Sequence, residues 1–230
     1  MKYRPLQVKD AVLDKDVRRF FDSFIEGDSR QSILLSGSPG IGKTTLANAV
    51  CNDIEDSVVL FLNASEERGI DTIRNKVMQF GSTKSLQGDI KIVVLDEADS
   101  LTHDAQKALR GVIEDVAVTT IFILTANYPG KLIDPLVSRC HHIPVNFKDK
   151  KDAMKQMAIR CADILKRENI QTSNAAISRV VKSKFPDFRD ILNTLQYYSA
   201  SGSFDVDNLD ELKSTNVDAL VAVMLSLIHI

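Results

Sequence analysis

Tryptophan is absent from this sequence and only four tyrosines occur, which leaves few aromatic side chains for stacking on nucleic-acid bases. No run reaches 18 apolar residues, so no transmembrane helix is predicted. The first five residues also lack the apolar stretch of a signal peptide. Three cysteines, Cys51, Cys140 and Cys161, cannot all pair, and no CxxC motif occurs. These absences favour a reducing compartment and no membrane partner, hence a cytoplasmic protein, or a nuclear one in a eukaryote.

An excess of either charge is also missing. Twenty-nine basic and 31 acidic side chains give a net charge of −2, so overall charge does not indicate a nucleic-acid or membrane binder. Any such binding must come from a local patch. The 230 residues are enough for one or two domains, and the 44% of hydrophobic residues can supply a core.

Hydrophobic patterning predicts an α/β domain with a five-stranded parallel sheet, because apolar runs alternate with amphipathic stretches. Ile92–Leu95 and Ile121–Leu124 are continuous apolar runs, typical of central strands that helices cover on both faces. The predicted strands are residues 32–36, 58–63, 90–95, 120–125 and 142–145.

Near Lys148 the strand-like runs stop, and three helical patterns follow at residues 149–167, 174–185 and 187–199. Pro186 stands where the last of these helices could begin. The patterns predict an α/β domain over residues 1–147 and a small, all-helical domain over residues 148–203. Two further helical patterns, 207–212 and 216–230, come after it.

A phosphate-loop motif runs from Gly37 to Thr44 and matches GxxxxGK(S/T). It follows an apolar strand and opens a helical stretch, and this context separates it from a chance glycine-rich turn. Glycines allow backbone N–H groups to close around phosphate oxygens. Lys43 is expected to reach the outer phosphates, and Thr44 offers a hydroxyl to Mg²⁺.

Acidic residues end the predicted strand at 90–95, where ligands bind in such a sheet. We expect Asp96 to hold Mg²⁺ through water and Glu97 to orient or deprotonate the attacking water. An acidic helix cap is the alternative. Residues 96–99 also spell DEAD, but a DEAD-box helicase needs two such sheets and this chain has room for one. Asn127 ends the next strand and could sit beside the γ-phosphate, although a turn former is the other interpretation.

These elements together resemble an AAA+ ATPase module, and more specific segments resemble the sliding-clamp loaders of the replication factor C small-subunit and large tailed-phage type. The resemblance covers about residues 2–200, and its specific part is residues 63–74 together with Ser138-Arg139-Cys140. Residues 2–5 are similar to the family's adenine-side box, and residues 185–189 to the lid motif of phage loaders. Pro186 stands where cellular relatives usually have glycine. The resemblance therefore does not fix how the lid helix approaches the nucleotide.

The resemblance implies roles for individual residues. Asn127 would be sensor 1, Arg189 would be sensor 2, and Arg139 would be an arginine finger that acts on the ATP of a neighbouring subunit. A structural salt bridge is the alternative for each arginine. The full set of implied ATP-binding residues is Tyr3, Arg4, Val12, Gly37, Ser38, Pro39, Gly40, Ile41, Gly42, Lys43, Thr44, Thr45 and Arg189.

The resemblance also implies partners: other clamp-loader subunits in a hetero- or homo-oligomer, pentameric in the full-length family, a sliding clamp and primer–template DNA. Helices 69–80 and 104–116 would face the DNA. An ordinary solvated surface is the alternative for each basic residue on or next to these helices. The DNA-contact candidates are Arg68, Arg74, Lys76, Lys107 and Arg110.

The sequence leaves two alternative functions and one alternative metal site to consider. The chain could belong to another AAA+ machine, such as a helicase loader or a branch-migration motor, or it could be a non-hydrolysing scaffold subunit. Retention of Lys43 and Glu97 argues against the scaffold. Cys140-His141-His142 could suggest zinc, but no second ligand pair lies at metal spacing.

The last six residues, 225–230, resemble the translation of a transposon adapter used in sequencing libraries. We therefore expect residues 204–224 to be the start of a truncated collar domain or the last lid helices, and 225–230 to be a scar. A natural apolar helix is the alternative. Truncation would leave the chain largely monomeric, with slow ATP hydrolysis.

Overall fold

The computed structural model describes residues 2–27, 30–66, 70–83, 90–199 and 203–204. It divides the chain into two compact units, Met1–Asp149 and Lys150–Ile230. In the described residues the first unit is an α/β layer structure and the second is mostly helical. The predicted helical patterns at 207–212 and 216–230, and the predicted scar at 225–230, lie outside the described residues.

The sheet of the first unit has five parallel strands in the spatial order β2-β3-β4-β1-β5. The fold class predicted from the sequence is thereby confirmed, and each strand begins and ends within one residue of its predicted limits. The strands are β1 (Ile33–Ser36), β2 (Ser57–Asn63), β3 (Ile90–Asp96), β4 (Thr120–Ala126) and β5 (His141–Pro144).

Burial along the strands follows their place in the sheet. All four residues of β1 are buried, as are six of the seven in both β3 and β4. Strand β2 is an edge strand with one neighbour, and it leaves Val58, Val59 and Phe61 about 40% exposed. The apolar runs at 92–95 and 121–124 therefore lie in the interior of the sheet, whereas the apolar run of β2 lies at its edge.

The helices of the first unit present apolar faces to the sheet. Helix α1 buries Phe21 and Phe24, and α4 buries Leu109, Val112 and Ile113 at the three- and four-residue spacing of one helix face. The helices are α1 (Lys15–Glu26), α2 (Lys43–Asp53), α3 (Ile70–Ser82), α4 (His103–Val116) and the single-turn α5 (Asp134–Val137).

The second unit is built from α6 (Lys150–Arg167), α7 (Asn174–Lys184) and α8 (Phe188–Tyr198). Helix α8 begins later than Pro186, because the Asp187 carboxylate accepts a hydrogen bond from Asp190 N at 2.9 Å and occupies the N-cap position. The expectation that strands stop after Lys148 is wrong in one detail. Two-residue strands β6 (Gln171–Thr172) and β7 (Ser203–Phe204) pair in parallel, and two residues are too few to show a pattern in the sequence.

Over the ranges that the structure describes, no helix is long and apolar enough to cross a membrane.

A buried ammonium group ties α3 to the sheet. Lys91 on β3 is 6% exposed, and its Nζ donates to Phe80 O at 2.9 Å, to Gly81 O at 3.0 Å and to Thr83 O. These carbonyls end α3, where the helix dipole favours a positive charge. At Gly81 a Cβ atom would lie 2.7 Å from Val116 Cγ1, so a side chain there would force α3 away from α4.

Replacing Lys91 by methionine should lower the free energy of unfolding by about 2 kcal/mol or more, because buried carbonyls lose a charged donor. Lys107→Met is the matched control. Lys107 is exposed and 3.5 Å from Asp104 in an i,i+3 pair, so its loss should cost about 0.5 kcal/mol or less. Urea denaturation monitored by circular dichroism measures the free energy of unfolding of both variants. Equal losses in the two variants would contradict a capping role for Lys91.

Candidate nucleotide-binding and hydrolysis site

The phosphate loop connects β1 to α2 at the carboxyl end of the sheet. It is held by both strands that flank β1, because Gly37 N donates to Ala126 O at 3.3 Å and Val145 N donates to Ser36 O at 2.7 Å. Gly37 has a φ of 154°, and a Cβ atom there would lie 2.5 Å from Val145 O, so only glycine fits. Gly42 has a φ of 104° and caps α2, so Lys43 and Thr44 form the first turn of that helix.

Lys43 places its charge inside this loop. The side chain is 6% exposed, and its Nζ donates to Gly37 O at 2.8 Å, to Ser38 O at 3.0 Å and to Asn127 Oδ1 at 2.7 Å. An ammonium has three N–H donors, and these three oxygens match them. Phosphate oxygens arriving in the loop would compete with these acceptors for the same charge.

Two hydroxyl groups meet at Asp96, which is buried at the end of β3. Asp96 Oδ1 accepts from Thr44 Oγ1 at 2.7 Å and from Thr125 Oγ1 at 2.6 Å. A carboxylate beside a hydroxyl is a set of hard oxygen donors of the kind Mg²⁺ prefers. Thr44 and Asp96 therefore have the chemistry to hold Mg²⁺, and their assignment as magnesium ligands stays a prediction.

Glu97 directly follows the strand and turns out of it. Its backbone is left-handed, with φ 55° and ψ 43°, and its N–H donates to Thr125 Oγ1 at 3.0 Å. The side chain is half-buried. A non-glycine residue in this conformation is uncommon and is frequently found at functional sites. Because of this turn, the backbone at Glu97 leaves the direction of strand β3, which ends at Asp96.

Asn127 directly follows β4, the strand that pairs with β1, and its amide oxygen accepts a hydrogen bond from the Lys43 ammonium. The following residue is also fixed, because Tyr128 N donates to Asp99 Oδ2 at 2.9 Å. The structure therefore brings Lys43, Thr44, Asp96 and Asn127 together at one edge of the sheet, with Glu97 adjoining Asp96 in the chain.

The residues expected at the adenine end lie in the N-terminal segment. Val12 is buried, Tyr3 is half-buried and Arg4 is exposed. The segment is fastened to the far end of α2, where Asp53 Oδ2 accepts from Val8 N at 2.7 Å. Arg18 on α1 adds two bonds, to Val8 O at 3.0 Å and to Ala11 O at 2.7 Å.

Arg139 follows α5 and binds to its own chain. Its guanidinium donates to Pro135 O at 2.6 Å and to the Glu114 carboxylate on α4, and its side chain is 28% exposed. Arg110 also reaches Glu114, with Nε 3.4 Å from the same oxygen. The ion pair raised as an alternative for Arg139 therefore exists in this chain, where the guanidinium rests on α4 and α5.

The remaining predicted residues lie on helix surfaces. Arg189 is exposed in the first turn of α8, in the second unit. Arg68 lies outside the described residues. The other DNA-contact candidates are all exposed, Arg74 and Lys76 on α3 and Lys107 and Arg110 on α4.

Sequence reasoning missed three polar residues that organise the site. Thr125 joins both acidic residues, and Asp99 holds the segment after Asn127. Gln106 is 2% exposed; its Nε2 donates to Leu101 O at 3.2 Å and to Lys131 O at 3.1 Å, while its Oε1 accepts from Ile133 N at 2.8 Å. The available signal was a glutamine beside the apolar face of α4, which periodicity alone reads as solvent-facing.

The side chains of Cys140, His141 and His142 are occupied by packing and by contacts other than a metal in this structure. Burial raises the pKa of Cys140 to about 11, which disfavours the thiolate that a zinc ion requires. His142 Nε2 lies 2.7 Å from Ser36 Oγ, and the His141 ring stacks on Phe20 with centroids 5.0 Å apart. Among the described residues, no three His, Cys, Asp or Glu side chains are grouped to hold a metal.

A phosphate loop and an acidic strand end on a parallel sheet of this order define a P-loop NTPase fold. Residues 33–146 match the family model of the ATPases associated with various cellular activities, and residues 149–209 match the AAA+ ATPase lid domain of the sliding-clamp-loader large subunit. The chain therefore belongs to the AAA+ ATPases, with a lid domain of the sliding-clamp-loader type.

Curated relatives agree with this assignment. The chain is 37% identical over 211 residues to the replication factor C small subunit of Aeropyrum pernix, covering 90% of this chain and 64% of that protein. It is 38% identical over 208 residues to the replication factor C small subunit of Methanococcus maripaludis, covering 86% and 64% respectively. The chain thus spans 64% of the length of both relatives.

Solved structures share the fold at lower sequence identity. The Thermotoga maritima RuvB Holliday junction branch migration motor superposes with a TM-score of 0.69 at 16% identity, over 85% of this chain and 65% of that one. A RuvB variant from the same organism gives a TM-score of 0.74 at 16% identity, over 94% and 73%. At this identity the likeness concerns the fold alone.

Lys43→Ala should abolish ATP binding, because Lys43 carries the charge inside the phosphate loop. Equilibrium titration with a fluorescent ATP analogue measures the loss. Lys9→Ala, at an exposed position on the N-terminal segment, is the control and should bind as the unchanged chain does. Unaltered affinity in Lys43→Ala would contradict the assignment of the phosphate loop.

Glu97→Gln should bind ATP in the presence of Mg²⁺ with near-normal affinity but fail to hydrolyse it. The amide keeps the size of the side chain and the backbone bond to Thr125, and it loses the basic oxygen. Binding titration and phosphate release measure the two properties separately. Normal turnover by Glu97→Gln would remove Glu97 from the reaction.

Proposed function

We propose that this chain is the ATPase part of a sliding-clamp-loader subunit, which uses ATP binding and hydrolysis to open a DNA polymerase clamp and load it on primer–template DNA. The observation that carries the proposal is the clamp-loader lid match at residues 149–209. It accompanies a site in the first unit where Lys43 donates to Asn127 and Thr44 donates to Asp96. The match to the replication factor C small subunits over 90% of this chain supports it.

The geometry divides the proposed reaction among the residues of the site. Lys43 would exchange its loop carbonyls for the outer phosphate oxygens and neutralise part of their charge. Glu97 would orient or deprotonate the attacking water, and Asn127 would position the water and the γ-phosphate. Thr44 and Asp96 would hold Mg²⁺, which when bound neutralises charge on the β- and γ-phosphates.

The two arginines would complete the site from elsewhere. A guanidinium grips two phosphate oxygens at once and stabilises the charge of the transferred group. Arg139 would supply this charge to the ATP of a neighbouring subunit after leaving Glu114. Arg189 would couple the lid to the γ-phosphate of its own subunit. Tyr3, Arg4 and Val12 would line the adenine end.

Partners follow from the same proposal. The chain would assemble with other clamp-loader subunits into a pentamer and bind a sliding clamp. The exposed residues Arg74, Lys76, Lys107 and Arg110 would hold DNA phosphates without reading bases. Such contacts make DNA binding salt-dependent and independent of sequence.

The competing function is another AAA+ DNA-remodelling ATPase, such as a helicase loader or a branch-migration motor. The RuvB structures support only the shared fold, because their identity to this chain is 16%. The clamp-loader lid match favours the first function.

One assay separates the two functions. The complex containing this chain is purified with a candidate clamp, and its ATP hydrolysis is measured with clamp plus primed DNA, with primed DNA alone and with a four-way junction. Stimulation by clamp plus primed DNA is expected. Stimulation by the junction with no response to the clamp would support a branch-migration motor instead.

Arg139→Ala should leave ATP binding by its own subunit intact and lower hydrolysis at the neighbouring site by about 10³-fold or more. The reason is that an arginine finger acts only on the transition state of its neighbour. Arg30→Ala is a control, since Arg30 donates to Ile25 O at the end of α1. Mixing Arg139→Ala with Glu97→Gln subunits identifies the affected interface. Weakened nucleotide binding in the Arg139→Ala subunit itself would contradict action in trans.

A further inference from the structure

We propose that Thr125 is the positioning residue for both acidic side chains of the site, so that one hydroxyl group sets the direction of Asp96 and of Glu97. The inference rests on the proposed ATP hydrolysis and deepens it. Thr125 would touch neither nucleotide nor metal, and it would act through the two residues that do.

Both hydrogen-bonding capacities of this hydroxyl are directed to consecutive residues. Thr125 Oγ1 donates to Asp96 Oδ1 at 2.6 Å and accepts from Glu97 N at 3.0 Å. The donor proton and a lone pair of the same oxygen thus bind a side chain and the next backbone amide. Thr125 is 1% exposed, so its hydroxyl is shielded from bulk solvent.

The register of the sheet explains why a side chain is needed at this point. Strands β3 and β4 pair in parallel as far as Leu95 and Leu124, and Asp96 and Thr125 are the next residues on each strand. Glu97 then leaves the strand with a φ of 55°. Its N–H finds the Thr125 hydroxyl, which takes the place of a ladder partner and fixes the left-handed turn.

The two hydroxyls that bind Asp96 have different duties. Thr44 belongs to the phosphate loop and is one of the residues that would hold Mg²⁺, so its hydroxyl has a second use. Thr125 belongs to the sheet, and its bond to Asp96 can persist when Thr44 serves the metal. Losing it would allow the carboxylate to rotate and would free the backbone at Glu97.

The test compares Thr125→Val, which keeps the shape and lacks the hydroxyl, with Thr125→Ser, which keeps the hydroxyl. Thr120→Val is the matched control, because Thr120 is buried at the opposite end of the same strand and its hydroxyl lies 3.3 Å from that of Thr119. Thr125→Ala is a second hydroxyl-free variant if Thr125→Val does not fold. Melting temperature reports folding for each.

The readout is ATP affinity of the full chain with Mg²⁺ and with EDTA, together with the rate of phosphate release by the assembled complex that contains it. Removing an outer-shell partner of a metal ligand commonly costs 10- to 100-fold. Thr125→Val should therefore lose about tenfold or more of the affinity gained from Mg²⁺ and keep its affinity in EDTA. Its hydrolysis should fall at saturating Mg²⁺ and ATP, because Glu97 is misdirected. Thr125→Ser and Thr120→Val should both retain the gain and the rate.

Three results would overturn the inference. An unchanged Mg²⁺-dependent gain in Thr125→Val and Thr125→Ala would show that the hydroxyl does not position Asp96. Equal losses in Thr120→Val or Thr125→Ser would show a general effect of strand packing. Absence of Mg²⁺-dependent ATP binding by the unchanged chain would instead remove the proposed function, which distinguishes the two failures.

Discussion

One carboxylate oxygen, Asp96 Oδ1, accepts hydrogen bonds from Thr44 on α2 and Thr125 on β4. Three segments far apart in the sequence therefore meet at a single buried atom at the end of β3. A buried carboxylate is costly to desolvate unless it is hydrogen-bonded, and these hydroxyls supply the compensation. The phosphate loop, the acidic turn at Glu97 and the strand that leads to Asn127 all take their places around this atom.

A second set of hydrogen bonds, made by the Lys43 ammonium, holds the phosphate loop in place. The Lys43 ammonium lies inside the loop and donates hydrogen bonds to two loop carbonyls and to the amide oxygen of Asn127. Because the same donors suit phosphate oxygens, a bound nucleotide would exchange one set of acceptors for another, and the buried ammonium would keep its hydrogen bonds. In the function we propose, the amide of Asn127 would link occupancy of the loop to the segment that continues to Tyr128, whose N–H donates to Asp99.

The two arginines with proposed roles in hydrolysis, Arg139 and Arg189, lie in different units of the chain. Arg139 lies on α4 and α5 of its own chain, paired with Glu114, and Arg189 stands exposed on a helix of the second unit. The described part of the first unit therefore contains the groups that fit phosphate and metal, and the site we propose receives a catalytic cation from a neighbour. Such a division would make hydrolysis depend on assembly, because the charge that stabilises the transition state would arrive only with the next subunit.

The sequence by itself determined the parallel five-stranded sheet, the phosphate loop and the acidic strand end, because each rests on local constraints. The apolar runs at 92–95 and 121–124 favour central strands, and the glycines at 37 and 42 are required by backbone geometry that other residues avoid. The order β2-β3-β4-β1-β5 was decided by the tertiary structure, since strand pairing is not encoded within any one strand. That order sets Thr125 beside Asp96 and brings Asn127 to Lys43 across 84 residues of sequence. Hydrophobic periodicity also did not identify Lys91 and Gln106 as buried residues. The carbonyl and amide groups that compensate their burial come from other segments of the folded chain.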